Sequence, residues 1–122
     1  EFVAIGGKYA EAVTFSGEFH PDMKREPVKG FAENFRNQMG EAPDIVAARF
    51  YDATMMMFSL LDEGKARTRE ELAGGLAALV SWQGVSGTVE KGAAWMLEKL
   101  PSLFMVEIGK IVEYLPPGAK LE

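Results

Sequence analysis

The stretch DIVAARFYDATMMMFSLLDEG, residues 44–64, decides the fold of this chain. It predicts a helix from Ile45 to Glu63, because Asp44 can accept hydrogen bonds from the first free N–H groups as an N-cap and Gly64 ends the segment. Apolar side chains lie almost all the way round this helix, and a helix of that kind is buried on several sides. We therefore expect it to be the central helix of the core.

Two elements are predicted before the central helix. Pro27 suits the first turn of a helix and Gly40 suits the left-handed position after its end. Between them runs one apolar stripe at helical spacing: Val28, Phe31, Phe35 and Met39. Further upstream, residues 1–8 have no helical period, whereas apolar and polar residues alternate over residues 11–17, which predicts a half-buried strand.

Two more elements are predicted after the central helix. Thr68 and Glu71 have the spacing of a capping box and predict the start of a third helix. Four apolar residues form the stripe of this helix: Leu72, Leu76, Leu79 and Val80. Residues 84–87 follow and break the helix. Near the C-terminus, residues 103–108 and 111–115 are apolar runs joined by Gly109-Lys110, which predicts a β-hairpin with a two-residue turn. Residues 93–100 fit either a helical turn or extended chain.

Composition excludes several classes of protein. The chain has 122 residues, with 13 Lys and Arg against 18 Asp and Glu and a sequence pI near 5.0, so its field repels phosphate backbones and nucleic acid is not an expected partner. It has no cysteine, which excludes thiolate chemistry, Cys-ligated zinc and Fe–S clusters. The longest apolar stretch, residues 53–61, is far shorter than a membrane span. These numbers are typical of a single globular domain or part of one.

No set of residues predicts catalysis, a metal site or a cofactor. The only histidine, His20, lies beside Asp22 in a predicted turn and lacks further partners for acid–base or metal chemistry. The three methionines at 55–57 point in different directions along a helix, which favours core packing. Because no nucleophile, base and orienting group occur together, we do not expect an enzyme.

Arg49 allows two interpretations. A guanidinium beside Phe50 and Tyr51 near the start of a helix could face a pocket for a ligand with a carboxylate. Alternatively the two aromatic rings fill the core and Arg49 lies along its surface, since buried aromatic side chains usually serve packing. The residues alone favour the second interpretation.

A series of short motifs adds information that single residues do not carry. After the early strand, these motifs follow one another in a fixed order: Phe31-x-x-x-Phe35, Met39-Gly40-x-x-Pro43, Tyr51-Asp52-Ala53, Thr68-Arg69-Glu70, Gly84-Val85-Ser86-Gly87-Thr88-Val89 and Val106-Glu107-x-Gly109-Lys110-Ile111-Val112. From Tyr9 to Leu115 the chain resembles the C-terminal part of the periplasmic solute-binding proteins of branched-chain amino acid-type ABC transporters.

This resemblance implies a fold. Proteins of that family are longer and have two α/β lobes around a cleft, so the chain is expected to be a helix-rich α/β fragment with three main helices, one early strand and a C-terminal hairpin. Residues 9–17 and 103–115 would belong to the second lobe, and residues 27–82 would form helices of the first lobe. The chain would cross between the lobes near residues 17–21 and 84–88.

The resemblance also implies a function. The expected protein is a non-enzymatic receptor in the periplasm that delivers an amino acid or related small carboxylate to an ABC transporter permease, with no cofactor. Ligand contacts in the family lie near the start of the helix that carries Tyr51-Asp52-Ala53 and after the early strand. The residues of this chain at those positions are Phe19, Ala47, Arg49 and Phe50.

Two further expectations concern protein partners. If part of a lobe is missing, the apolar faces of the predicted helix Ile45–Glu63 lack their cover, and a large exposed apolar patch tends to recruit another chain. Self-association of the fragment is therefore expected. An alternative from another functional class is a small helical interaction module whose exposed apolar groove binds a partner helix.

Overall fold

The computed structural model of the chain describes residues 2–62, 64–92, 97–99, 101–115 and 117. Over these residues it forms an α/β structure with two antiparallel sheets, as the sequence predicts for the fold class. A single 3-10 turn, Gly7–Ala10, follows the first helix. The helices and strands are α1 (Phe2–Gly6), β1 (Thr14–Gly17), α2 (Val28–Met39), α3 (Ile45–Asp62), α4 (Arg69–Ala78), β2 (Ser81–Gly84), β3 (Gly87–Lys91), β4 (Leu97–Lys99), β5 (Ser102–Glu107) and β6 (Lys110–Glu113).

The first sheet has the strand order β1-β5-β6 and joins the early strand to the C-terminal hairpin. Phe15 of β1 lies opposite Phe104 of β5. Both predicted elements are confirmed, but the hairpin turn is one residue earlier than predicted. It consists of Ile108 and Gly109, both with positive φ (51° and 69°), and Lys110 is already paired with Glu107. Two successive residues with positive φ are the geometry of a type I′ turn.

The second sheet has the strand order β2-β3-β4 and was not predicted. Residues 84–87, expected to break a helix and to lie at a crossing between lobes, are the tight turn of a hairpin in which Trp82 lies opposite Val89. The strands are too short to show a clear alternation of apolar residues. Strand β4 falls within residues 93–100, where the extended alternative is correct for 97–99; residues 93–96 and 100 lie outside the described residues.

The three predicted main helices are confirmed together with their capping residues. Gly40 follows α2 with φ 77°, and its N–H donates to the carbonyl of Arg36. Asp44 Oδ1 accepts the N–H of Ala47 at 2.8 Å at the start of α3, and Thr68 and Glu71 form the capping box of α4. Three points differ: α1 occupies the opening segment that showed no helical period, Pro27 is the N-cap before α2 and not part of its first turn, and α4 ends at Ala78, before the predicted stripe does. The predicted last residue of α3, Glu63, lies outside the described residues.

The core consists of two clusters that meet at Phe19. The first joins the β1-β5-β6 sheet to the start of α2 and contains Met23, Val28 and Phe104, with Phe15, Phe19 and Ile111 against them. The second joins α2, α3 and the β2–β3 turn and contains Phe31, Ala48 and Val85, with Phe19, Phe35 and Ala47 against them. The loop after β1 therefore lies between the two clusters.

The prediction that α3 is the central helix of the core is wrong. Its buried residues are Ala48, Asp52 and Leu60, which face α2, α4 and the β2–β3 turn. The rest of the helix surface carries exposed apolar side chains: Val46, Phe50, Met55, Met57, Phe58 and Leu61. Tyr51 is also partly exposed, but its ring packs against Phe31 of α2 with centroids 4.7 Å apart. Apolar residues all round this helix do not mean that it is buried all round. Among the described residues, its partners are α2, α4 and the β2–β3 turn, and they leave much of its apolar surface exposed. The exposure agrees with the expectation that its apolar faces lack their cover.

Candidate functional site

An open cleft of about 390 Å³ lies where β1 ends and α3 begins. Its volume is within the range of small-molecule sites. It is lined by Ser16, Gly17, Glu18, Phe19, Ile45, Arg49 and Pro101. The cleft thus combines backbone from the end of β1, an aromatic ring and one pair of opposite charges.

Glu18 and Arg49 form a bidentate ion pair in this cleft. Arg49 Nη2 lies 2.6 Å from Glu18 Oε1, and Arg49 Nε donates to Glu18 Oε2 at 3.1 Å. The hydrogen bond from Arg49 lowers the pKa of Glu18; partial burial opposes this, and the charges of Arg49 and Lys99 add to it. Glu18 is therefore a carboxylate at neutral pH. The Arg49 side chain is 58% exposed, so solvent and a ligand can reach it.

The structure brings two of the four predicted ligand contacts together. Phe19 and Arg49 both line the cleft. Ala47 is half-buried against the second core cluster, and Phe50 is 72% exposed on a part of α3 outside the cleft. Neighbouring helix residues point in different directions, which explains why one stretch of sequence does not put all its side chains in one site.

Sequence reasoning missed the role of Asp52. This carboxylate is only 3% exposed and accepts the N–H of Val85 at 2.7 Å and the N–H of Ser86 at 2.9 Å, together with the hydroxyl of Ser86. Three hydrogen bonds compensate for burying the charge. A Cβ on Gly84 would overlap the Asp52 carboxylate, so the turn approaches α3 more closely than any other residue at position 84 allows.

Signals for Asp52 were present in the sequence. It is the only acidic residue between Asp44 and Asp62, and an acid inside an apolar helix must have a partner if it is buried. Asp52 and Ser86 also belong to two of the motifs quoted for the resemblance. What the sequence does not supply is the pairing between the two motifs, since the bonded residues lie 33 and 34 positions apart.

Lys99 connects this buried network to the cleft. At the end of β4 its ammonium donates to the hydroxyl of Ser86 and lies 3.8 Å from Glu18 Oε2. Burial lowers the pKa of Lys99, while the carboxylates of Asp52 and Glu18 act in the opposite direction and Arg49 adds slightly to the lowering. A continuous polar network therefore runs through Asp52, Ser86, Lys99, Glu18 and Arg49.

His20 lies outside this network, in the turn that the sequence predicts. Its Nδ1 accepts the N–H of Asp22 at 3.3 Å, and its ring packs against Phe104 with centroids 6.2 Å apart. Burial lowers the pKa of His20, which keeps the imidazole neutral at neutral pH. Among the described residues no group of three or more acidic or histidine side chains is arranged to hold a metal ion. None of the described helices has the length and apolar character that crossing a membrane requires.

One protein-family model, described as "Periplasmic binding protein", matches residues 1–95. No curated protein matches the chain. The matched residues contain β1, the three main helices and the β2–β3 hairpin, and so include both Glu18 and Arg49 of the cleft.

Several solved structures are similar to the chain. A putative branched-chain amino acid ABC transporter from Rhodospirillum rubrum has a TM-score of 0.84 and 25% identity, over 93% of this chain and 33% of that chain. An ABC transporter substrate-binding protein from Desulfitobacterium hafniense in complex with Leu has a TM-score of 0.67 and 25% identity, over 93% and 33%. An ABC transporter solute binding protein from R. palustris in complex with benzoate, with a TM-score of 0.65 and 21% identity over 92% and 31%, shows the same fold.

The chain thus spans about a third of the length of the solved structures it matches. Its α/β fold is part of theirs, as the order of motifs predicts.

Proposed function

Because the chain belongs to the periplasmic binding protein family, we propose that it is part of the ligand-binding component of an ABC import system and that it binds an amino acid or a related small carboxylate. Similar proteins were solved with leucine and with benzoate, and these two compounds share a carboxylate on an apolar body. The proposal concerns the whole protein, of which this chain supplies about a third by comparison with the solved structures.

The observation that carries the proposal is the guanidinium of Arg49 in the cleft of about 390 Å³. Its planar fork of donors matches the two oxygens of a carboxylate, and its exposed position leaves room for a second partner beside Glu18. The ring of Phe19 supplies an apolar wall for the rest of the ligand. We further propose contacts from Ala47 and Phe50, which share the first turns of α3 with Arg49 but do not line this cleft within the described residues.

We assign residues 9–17 and 103–115 to the second lobe and residues 27–82 to helices of the first lobe. The pairing of β1 with the β5–β6 hairpin supports the first group, and the core cluster shared by α2 and α3 supports the second. The cleft is lined by both groups, since Ser16 belongs to the residues assigned to the second lobe and Arg49 to those assigned to the first. Closing the lobes around a ligand would be the output of binding.

The proposed location is the periplasm, or another extracytoplasmic site for a membrane-anchored form, and the proposed protein partner is the transporter permease. Family membership supports both, since the matching proteins are described as periplasmic or as belonging to ABC transporters.

Calorimetric titration of the full-length gene product with leucine and with benzoate tests the proposal. We expect at least one of them to bind, and R49Q to weaken binding about tenfold or more because a charged hydrogen-bonded partner is lost. R67Q, which changes an exposed arginine away from the cleft, is the matched control. Absence of binding by both compounds, or equal affinities for wild type and R49Q, would contradict the proposal.

A further inference from the structure

Two cations converge on one carboxylate at the cleft. Glu18 is bound by Arg49 at 2.6 Å and lies 3.8 Å from the ammonium of Lys99. The two cations differ in their surroundings, since Arg49 is 58% exposed in the cleft and Lys99 is 18% exposed behind it. Arg49 is therefore placed to exchange partners, and Lys99 is not.

Lys99 is held by side chains that are buried between α3 and the β2–β3 turn, since Ser86 and Asp52 are only 1% and 3% exposed. Its ammonium donates to Ser86, whose hydroxyl in turn donates to Asp52. Asp52 also binds the two N–H groups of the β2–β3 turn, so the turn, α3 and the end of β4 are tied together. The ammonium consequently stays beside Glu18 whichever way the Arg49 side chain points.

This arrangement bears on how a carboxylate reaches Arg49. A ligand that takes the guanidinium must displace Glu18, which then loses its bidentate partner. A partly buried carboxylate without a partner is costly and would also repel an anionic ligand. The ammonium of Lys99, 3.8 Å from Glu18, offsets both the cost of the unpaired carboxylate and its repulsion of the ligand, because it still neutralises the charge of Glu18 after Arg49 has left.

We propose that Lys99 is a positioning residue for carboxylate binding: it retains and neutralises Glu18 so that Arg49 can exchange Glu18 for the carboxylate of the ligand. The inference rests on the proposed function of the cleft and assigns a role within it to a residue that does not touch the ligand. It requires Lys99 to act through Glu18, and that requirement makes it testable.

The experiment is a double-mutant cycle on the full-length gene product, with binding of leucine and benzoate measured by calorimetry. K99M is expected to weaken binding of the carboxylate ligand about tenfold. This loss lies between the losses measured when one partner is removed from an exposed charge pair and from a buried charge pair. In the E18Q background the same K99M change is expected to alter affinity by less than about twofold, because the group that Lys99 acts on is absent. K99R keeps the charge and should restore binding.

K91M is the matched control, since Lys91 lies in the same sheet, is exposed and binds only the carbonyl of Ala77 with its ammonium among the contacts described. We expect it to bind as wild type does. An equal loss for K99M with and without E18Q would overturn the inference and indicate a structural role, and so would an unchanged affinity of K99M.

A measurement without ligand separates this inference from the proposed function. Titration of the Glu18 carboxyl by ¹³C NMR should show a higher pKa in K99M than in wild type, since the charge of Lys99 helps to lower it. If wild type binds neither compound while the pKa rises, the proposed function fails and the coupling of Lys99 to Glu18 stands. An unchanged pKa overturns the coupling whatever the ligand results are.

Discussion

Asp52 Oδ1 accepts the backbone N–H of Val85 at 2.7 Å, although 33 positions separate the two residues. The second carboxylate oxygen accepts the N–H of Ser86, so one buried side chain of α3 satisfies both donors of the β2–β3 turn. This contact fixes the second sheet on α3. Through Ser86 and Lys99 it also sets the position of Glu18 in the cleft.

D52N should destabilise the chain by about 2–4 kcal/mol. An asparagine side chain offers one acceptor oxygen and would turn its amino group towards a backbone N–H, leaving at least one buried donor unsatisfied. Urea unfolding followed by circular dichroism measures the change. D62N, at the exposed end of the same helix, is the control and should stay within about 0.5 kcal/mol of wild type. Similar stabilities for D52N and wild type would show that the Asp52 contacts do not hold the sheet in place.

G84A should lower stability by about 1–3 kcal/mol, because the added methyl group overlaps the Asp52 carboxylate and forces the turn away from α3. The matched control is G74A, where a Cβ meets no atom within 4 Å in the middle of α4. There alanine should stabilise the helix by about 0.5–1 kcal/mol. Thermal unfolding of the two variants should therefore shift in opposite directions, and shifts of the same sign would contradict this account of the turn.

I108N should stabilise the chain by about 1 kcal/mol. Ile108 is 87% exposed and has φ 51°, a conformation that a β-branched residue rarely adopts and that asparagine tolerates in a type I′ turn before glycine. I5N makes the same change at an exposed position of α1, where no positive φ needs relief, and should not stabilise. A denaturation midpoint of I108N at or below that of wild type would be inconsistent with strain at Ile108.

The 122-residue chain on its own should self-associate through the exposed apolar face of α3, whose largest side chains include Phe58 and Leu61. Light scattering at tens of micromolar should report a mass above that of a monomer. F58E should reduce the mass, and I108N, which removes an exposed apolar side chain elsewhere, should not. A wild-type monomer at this concentration would show that the exposed face does not recruit a second chain.

The helices and the first sheet were predictable because their signals are local. Asp44, Gly40 and the Thr68–Glu71 box mark helix ends through contacts with neighbouring residues in the chain, and the structure contains those contacts. The apolar runs predict the C-terminal hairpin, but they predict its turn one residue too late. A turn that starts at the glycine would be Gly109-Lys110, whereas Ile108 occupies the first turn position with a positive φ despite its β-branch.

The second sheet and the buried network were not predictable, because they depend on contacts between distant residues. Strands of three to five residues carry too few positions for a period to appear. The prediction that α3 is buried on several sides is wrong, because apolar residues round a helix show only that other elements could cover it, not that they do so within the described residues. For the cleft, sequence identified Phe19 and Arg49, but the ion pair of Arg49 with Glu18 and the approach of Lys99 required the fold.

Small-angle X-ray scattering of the full-length gene product, titrated with leucine or benzoate, tests the central claim most directly. If these residues are part of a two-lobe receptor whose cleft takes a small carboxylate, the radius of gyration should fall when the ligand that binds wild type is added, and R49Q should need about tenfold more ligand, or more, for the same fall. Ligand binding that leaves the radius of gyration unchanged, or compaction of R49Q at the ligand concentrations that compact wild type, would contradict the account.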